Sequence, residues 1–268
     1  MEADEALAEA GTATGDGLPT PRRWWAILAI SVGTALLVLD GAIANVALPT
    51  IARELGVSNA VITNIVTVYQ LVLVMLLLPF ASLGDRIGHR RWYQAGQVLF
   101  MAASAACLLV DALAPLLALR AVQAVGAAMA LSVSAAMLRQ IYPAARLGTG
   151  LGINSVIVAS SAALAPTLGG WIVSNAAWQW VFAAAAPLAV VSLLLGRCLP
   201  APAPRDVPVE WVSGGASALT MLLLVGGLQV ATHGAPLAGV ALLLAGGVAL
   251  VLLVRRERGR AAPVLPVD

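Results

Sequence analysis

The run WWAILAISVGTALLVLDGAIANVAL, Trp24–Leu48, decides the fold. It holds 25 residues and a single charge, Asp40. About 20 apolar residues rising about 1.5 Å each cross the roughly 30 Å hydrocarbon layer of a bilayer, so this run is long enough to span one. Lipid offers unpaired backbone groups no water, so a spanning segment of this kind is helical. Arg22 and Arg23 precede the run, and Trp24 and Trp25 open it as interfacial anchors do. Ala42-Ile43-Ala44 imitates a secretory cleavage site. The run is too long for a signal, however, the residues ahead are acidic, and similar runs follow at once.

Seven more segments have the same character: 60–80, 93–112, 114–138, 148–173, 178–198, 211–231 and 235–254. The breaks between them are short and carry turn residues. Of the 268 residues 60% are hydrophobic and 10% charged, with a mean hydropathy of +0.93, too little polar surface to coat a water-soluble globule. The expected fold is an all-α polytopic membrane protein. Residues 1–23 read as a disordered tail, 24–199 as a six-helix bundle and 200–210 as a Pro-rich linker. Residues 211–254 add two further helices, and 255–268 form a polar end segment. Arginine placement orients the bundle. With the N-terminus inside, 13 arginines fall in inner segments, Arg53 falls outside and Arg120 lies within a span. Positive-inside bias then puts both termini in the cytoplasm. Cys107 and Cys198 are far apart and suggest neither a disulfide framework nor a metal motif.

Charges inside spans are costly and normally face a cavity or a partner. Asp40 lies about eight residues, roughly 12 Å, from the outer end of its span, and Arg120 about six residues, roughly 9 Å, from the same side. A buried Asp–Arg pair is therefore geometrically possible. Burial disfavours an ionised carboxyl and a close cation favours it, so protonation at such a pair depends on whether the partner is engaged. A purely structural ion pair is the simpler reading. Between the second and third spans, Gly84-Asp85-Arg86-Ile87-Gly88-His89-Arg90 adds two glycines and an acid to a basic loop. The acid can cap a helix or pair with a basic neighbour, which suits a latch rather than a substrate site. The fifth span is rich in small residues, and Pro166, Gly169 and Gly170 predict a kink near its outer end.

Together these segments resemble the major facilitator superfamily, specifically its fourteen-helix drug:proton antiporters. Leu83–Arg91 is similar to the signature loop between helices two and three, with Ala81 and His89 departing from the usual Gly and Arg. Leu116, Arg120, Gln123 and Gly126 resemble the fourth-helix motif associated with proton coupling, and Ala165, Pro166, Gly169 and Gly170 the fifth-helix motif of antiporters. Leu39-Asp40 with Asn45–Pro49, and Trp178-Gln179-Trp180 with Phe182 and Pro187, resemble the first- and sixth-helix motifs of that branch.

The resemblance implies a proton-coupled exporter of lipophilic compounds in the bacterial inner membrane. Asp40, Asn45, Arg120 and Gln123 would handle proton and substrate. Gly84, Asp85, Arg86, Gly88 and Arg90 would form the latch, and Pro166, Gly169 and Gly170 would mark the antiporter helix. It implies a missing second bundle, so the expected partners are lipid, protons, a lipophilic substrate, and a second half or second copy. The alternatives are export of a defined metabolite by the same machinery, or a membrane fragment that does not transport. No cofactor, metal or nucleic acid is expected. No nucleophile–base pair or phosphate loop is present, and the arginines are explained by topology.

Overall fold

The computed structural model describes residues 17–19, 21–200, 211–232 and 235–257. Among these the chain forms ten α-helices: α1 Arg22–Glu54, α2 Asn59–Ile62, α3 Asn64–Ile87, α4 His89–Ala106, α5 Leu113–Ile141, α6 Leu147–Asn175, α7 Trp180–Ala183, α8 Ala186–Leu195, α9 Trp211–Thr232 and α10 Pro236–Glu257. The fold is all-α and polytopic. Among the described residues, seven segments of helix are long and apolar enough to cross a membrane. The third segment expected to span, 93–112, is the exception. It forms α4 and a 3-10 turn, Cys107–Leu109, and stops before Asp111. Its first turn holds His89, Arg90 and Arg91, and Gln97 and Ser104 are buried against neighbours, so its hydropathy is low although it packs within the bundle.

Other boundaries moved for local reasons. α1 continues through Pro49, six residues past the expected end at Leu48. Gly56, at φ 65°, stops it: Val57 N–H donates to Ala52 O at 3.0 Å and Gly56 N–H to Arg53 O at 3.3 Å, a Schellman closure. The sixth span is divided into α7, α8 and the turn Gly196–Cys198. α6 runs unbroken through Pro166, so the proline does not interrupt the helix. Residues 17–19 are not a free tail: Leu18 N–H donates to Ile141 O at 3.1 Å, and Arg23 Nε donates to Leu18 O at 2.7 Å. The rest of the tail (1–16 and 20), linker residues 201–210, His233 and residues 258–268 lie outside the described residues.

Polar ties fix which helix ends share a face of the bundle. Arg22 donates from Nε to Cys198 O at 3.0 Å and from Nη2 to Leu199 O at 3.2 Å, joining the start of α1 to the end of the sixth span. With Leu18 on Ile141 and Gln140 on His89, these contacts gather Arg22, Arg23, Arg86, Arg90, Arg91, Arg139 and Arg197 at one end. At the other end Gln179 Nε2 donates to Asp111 Oδ1 at 3.1 Å. Two apolar clusters fill the interior. One runs from Ala26 to Leu37 of α1 and on to Tyr93, Met137 and Ile141, and the other joins Ile43, Ala47 and Ile51 to Leu116 and Phe182. α4 and α5 cross with backbones touching. A Cβ on Gly96 would lie 2.6 Å from Gly126 O, and one on Gly126 would lie 2.7 Å from Gly96 O.

Candidate functional site

Helices α1 and α5 are the most covered of the spans, each 56% buried over its apolar window. They carry the two embedded charges, and the charges meet. Arg120 Nη1 donates to Asp40 Oδ2 at 2.8 Å, with both side chains fully buried. The same nitrogen donates to Gln123 Oε1 at 2.8 Å, one helical turn further along α5. Gln123 Nε2 then donates to Ser104 Oγ of α4 at 2.8 Å. A continuous polar chain thus crosses three helices inside an apolar core.

The guanidinium is also held between two rings. Its Cζ lies 4.2 Å from the Tyr69 ring centroid and 5.1 Å from that of Phe182, within cation–π range. Among the described residues, Arg120 Nε and Nη2 and Asp40 Oδ1 have no hydrogen-bond partner. A buried ion pair offsets its desolvation only when geometry is good and the remaining donors and acceptors are satisfied. This pair uses one hydrogen bond where two are available. Unsatisfied buried groups ask for a role other than stability.

Sequence reasoning grouped Asn45 with this pair, but the structure does not bring it there. Five positions beyond Asp40, Asn45 lies about 140° around the helix. It is exposed and donates from Nδ2 to Gly41 O of its own helix at 3.1 Å. Tyr69 and Ser104 were missed. Ser104 is a lone polar group in an apolar run and Tyr69 stands beside Gln70, and only helix rotation brings Tyr69 to Arg120 and Ser104 to Gln123.

The latch segment is also built differently from a loop. Gly84 is a buried helical residue against Val133 and Trp92, and the chain turns at Gly88 alone, at φ 101°, a conformation that favours glycine. Asp85 caps no helix. His89 Nε2 lies 2.7 Å from Asp85 Oδ1, and Gln140 Nε2 lies 3.0 Å from His89 Nδ1. With Gln140 donating to Nδ1, the ring proton sits on Nε2 and is donated to Asp85. Helices α3, α4 and α5 are joined by this relay. Arg86 is exposed and Arg90 half-exposed. On α6, Gly169 packs against Ile43 and Val46 of α1, whereas Pro166 and Gly170 face outward.

An all-α bundle of spans around a buried acid–base pair defines a polytopic membrane protein with ionisable groups in its core. The Major Facilitator Superfamily model matches residues 30–254, and the chain belongs to this family of transporters. It is 44% identical over 261 residues to the uncharacterized transporter YebQ of Escherichia coli (strain K12), covering 94% of this chain and 56% of that one. It is 32% identical over 262 residues to the multidrug efflux pump LfrA of Mycolicibacterium smegmatis, covering 96% and 52%. The drug efflux pump JefA of Mycobacterium tuberculosis is 34% identical over 256 residues, with 92% and 50% covered. The chain therefore spans about half the length of these relatives. Among solved structures, an inward-facing bacterial homolog of the human lysosomal transporter Spinster matches with TM-score 0.58 at 19% identity, over 88% of this chain and 61% of that one. A peptide transporter, POT, matches with TM-score 0.60 at 19% identity, over 87% and 49%. These structural likenesses carry the fold.

Proposed function

We propose that this chain is the proton-coupling half of a drug:proton antiporter of the fourteen-helix branch, exporting lipophilic compounds across a bacterial inner membrane with both termini cytoplasmic. The observation that carries the proposal is the fully buried Asp40–Arg120 pair with its unmet hydrogen-bonding capacity. Protonating Asp40 removes the charge that Arg120 faces. Arg120 stays supported by Gln123 and by the rings of Tyr69 and Phe182. The pair can therefore open without stranding a bare cation, as proton coupling through an embedded acid requires.

Alternating access rocks two bundles about a midplane site. The half-length coverage of the relatives supports a need for a second bundle, which α3 and α6 would meet. Relatives named as efflux pumps support drug-like substrates, and the arginine-bearing end supports the orientation.

The test is reconstitution in proteoliposomes with an imposed pH gradient, reading substrate-induced proton leak. The chain alone should give none. The chain paired with a second bundle from a full-length relative should give a leak that Asp40→Asn abolishes. Unchanged leak in Asp40→Asn would remove Asp40 from the mechanism.

A further inference from the structure

His89 stands at the break between α3 and α4, directly after Gly88, and is buried, while the carboxyl it meets is 40% exposed. Its two ring nitrogens face different helices. Nε2 lies 2.7 Å from Asp85 Oδ1 on α3, and Nδ1 lies 3.0 Å from Gln140 Nε2 on α5. In the neutral ring Nε2–H donates to the carboxylate and Nδ1 accepts from the amide. Among the described residues the other end of that amide, Gln140 Oε1, is buried without a partner. A protonated ring carries a donor on both nitrogens, so it would meet the Gln140 amide nitrogen donor to donor. A half-turn of the amide exchanges its nitrogen and oxygen in place and brings the idle Oε1 onto Nδ1–H. Gln140 can thus serve either charge state of the ring without movement of a helix, and Nε2–H stays on Asp85 in both.

We infer that His89 is a proton-operated switch at the arginine-bearing end of the bundle, setting whether the Asp85 charge is neutralised within its own bundle or presented to a cation of a second one. With a neutral ring, one carboxylate oxygen takes a hydrogen bond and the full negative charge stays at a partly exposed surface. With an imidazolium, the same contact becomes a charge-assisted ion pair, which is stronger and cancels the charge. Asp85 is the one acid of α3, α4 and α5, so no neighbour on these helices can take its place. The other ionisable groups on the elements around this turn are Arg86 of α3, Arg90 and Arg91 of α4, Arg139 and Tyr142 at the end of α5, and Arg197 after α8. Arginine keeps its charge and tyrosine stays neutral near pH 7, so histidine is the group here able to change charge. The arginine usual at this position in the loop that Leu83–Arg91 resembles would hold its charge permanently, whereas an imidazole can discharge. The bearing on transport rests on the antiporter reading, in which this end meets the cytoplasm, whereas the switching of the hub does not.

The chain holds two histidines, His89 and His233, so a His233→Gln version carrying 15N-labelled histidine in phosphatidylcholine nanodiscs gives one imidazole to follow by NMR. On acidification that ring should pass reversibly from the Nε2–H tautomer to the doubly protonated form. Asp85→Asn should lower its proton affinity about tenfold, and Gln140→Glu should raise it about tenfold. A ring that keeps one charge state from about pH 5 to pH 8 would overturn the proposal, as would a titration that neither variant moves. The consequence for transport is read with a second bundle supplied, as proton-coupled leak at a fixed gradient while the pH of both compartments is stepped together. His89→Arg, charged throughout, should hold the rate at the parent's acid value, and His89→Gln, neutral throughout, at its alkaline value, about two- to fivefold apart. A pH dependence that survives both substitutions would overturn the switch's place in transport. No leak from any version, with the ring titrating as expected, would refute the antiporter reading and leave the switch at Asp85 standing.

Discussion

The Asp40–Arg120 pair can be taken apart one charge at a time and then as a unit. Removing one partner of a buried pair costs about 3–5 kcal/mol, because the other charge is left without compensation. The two removals are not equivalent here. Asp40→Leu leaves a cation that keeps the Gln123 oxygen at 2.8 Å and two ring faces at 4.2 and 5.1 Å. Its cost belongs at the lower end, about 3 kcal/mol. Arg120→Met leaves a carboxylate with neither oxygen partnered, and its cost belongs at the upper end, about 5 kcal/mol. Replacing both charges together with apolar side chains of similar volume is close to neutral, so the double variant should return to within about 2 kcal/mol of the parent. A thiol-reactive fluorogenic dye can follow unfolding in detergent, because Cys107 is a buried free cysteine that reacts only on opening. Changing half-buried Cys198 to Ser removes the background. With a second bundle supplied, all three variants should lose proton-coupled leak, including the stable double. Additive costs in the double would show that the charges do not see each other. A stable double that still couples protons would reduce the pair to a structural tie.

Gly33→Ala would drive a Cβ into the Tyr93 hydroxyl where α1, α4 and α8 share the Tyr93–Gln97–Ser192 bonds, and the melt should report a loss of about 1–3 kcal/mol; an unchanged melt would mean these helices are not closely packed. Tyr69→Phe should be near neutral and Tyr69→Leu should cost about 0.5–2 kcal/mol by the same melt, since only the second removes a ring face from Arg120; equal costs would assign Tyr69's contribution to its hydroxyl. His89→Ala should cost under about 1 kcal/mol, as Asp85 is 40% exposed, and a loss of several kcal/mol would show that the relay to Gln140 bears structural weight.

The spans were legible because lipid imposes a length and a hydropathy on any segment that crosses it. The pairing of Asp40 with Arg120 was legible because depth can be counted along a helix. That count was wrong at one end: α1 runs on to Glu54, fourteen residues past Asp40, and its last turns protrude beyond the level at which α5 begins. The rotation of each helix about its own axis was not legible. In α1 and α5 the apolar residues surround the axis, so no stripe announces which face turns inward. Tyr69 and Phe182 reach Arg120, and Ser104 reaches Gln123, through that rotation, and Asn45 leaves Asp40 through it. The Gly84–Arg90 segment misled for another reason. Glycine before an acid reads as a turn, yet Gly84 is there to let α3 approach Val133, and a single residue, Gly88, makes the turn.

Coverage of the spans divides the bundle in a way that bears on how the pair could work. The apolar windows of α1 and α5 are 56% buried, whereas that of the Asn59–Ile87 segment is 17% and that of the α6 segment 22%. The pair thus sits on the two best-enclosed helices, beyond the reach of water or lipid in this arrangement. Its access routes run along two of the less-enclosed spans: Tyr69 of α3 covers one face of the guanidinium, and Leu168 and Ile172 of α6 wall a cavity on the Asp40 side of α1. A shift of α3 would uncover Arg120, and a shift of α6 would change that cavity. α6 packs mainly on α1 and can shift at low cost, whereas α3 packs along both α5 and α9. Under the antiporter reading, a second bundle seated on α3 and α6 would therefore control the two partners of the ion pair separately, one helix to each charge.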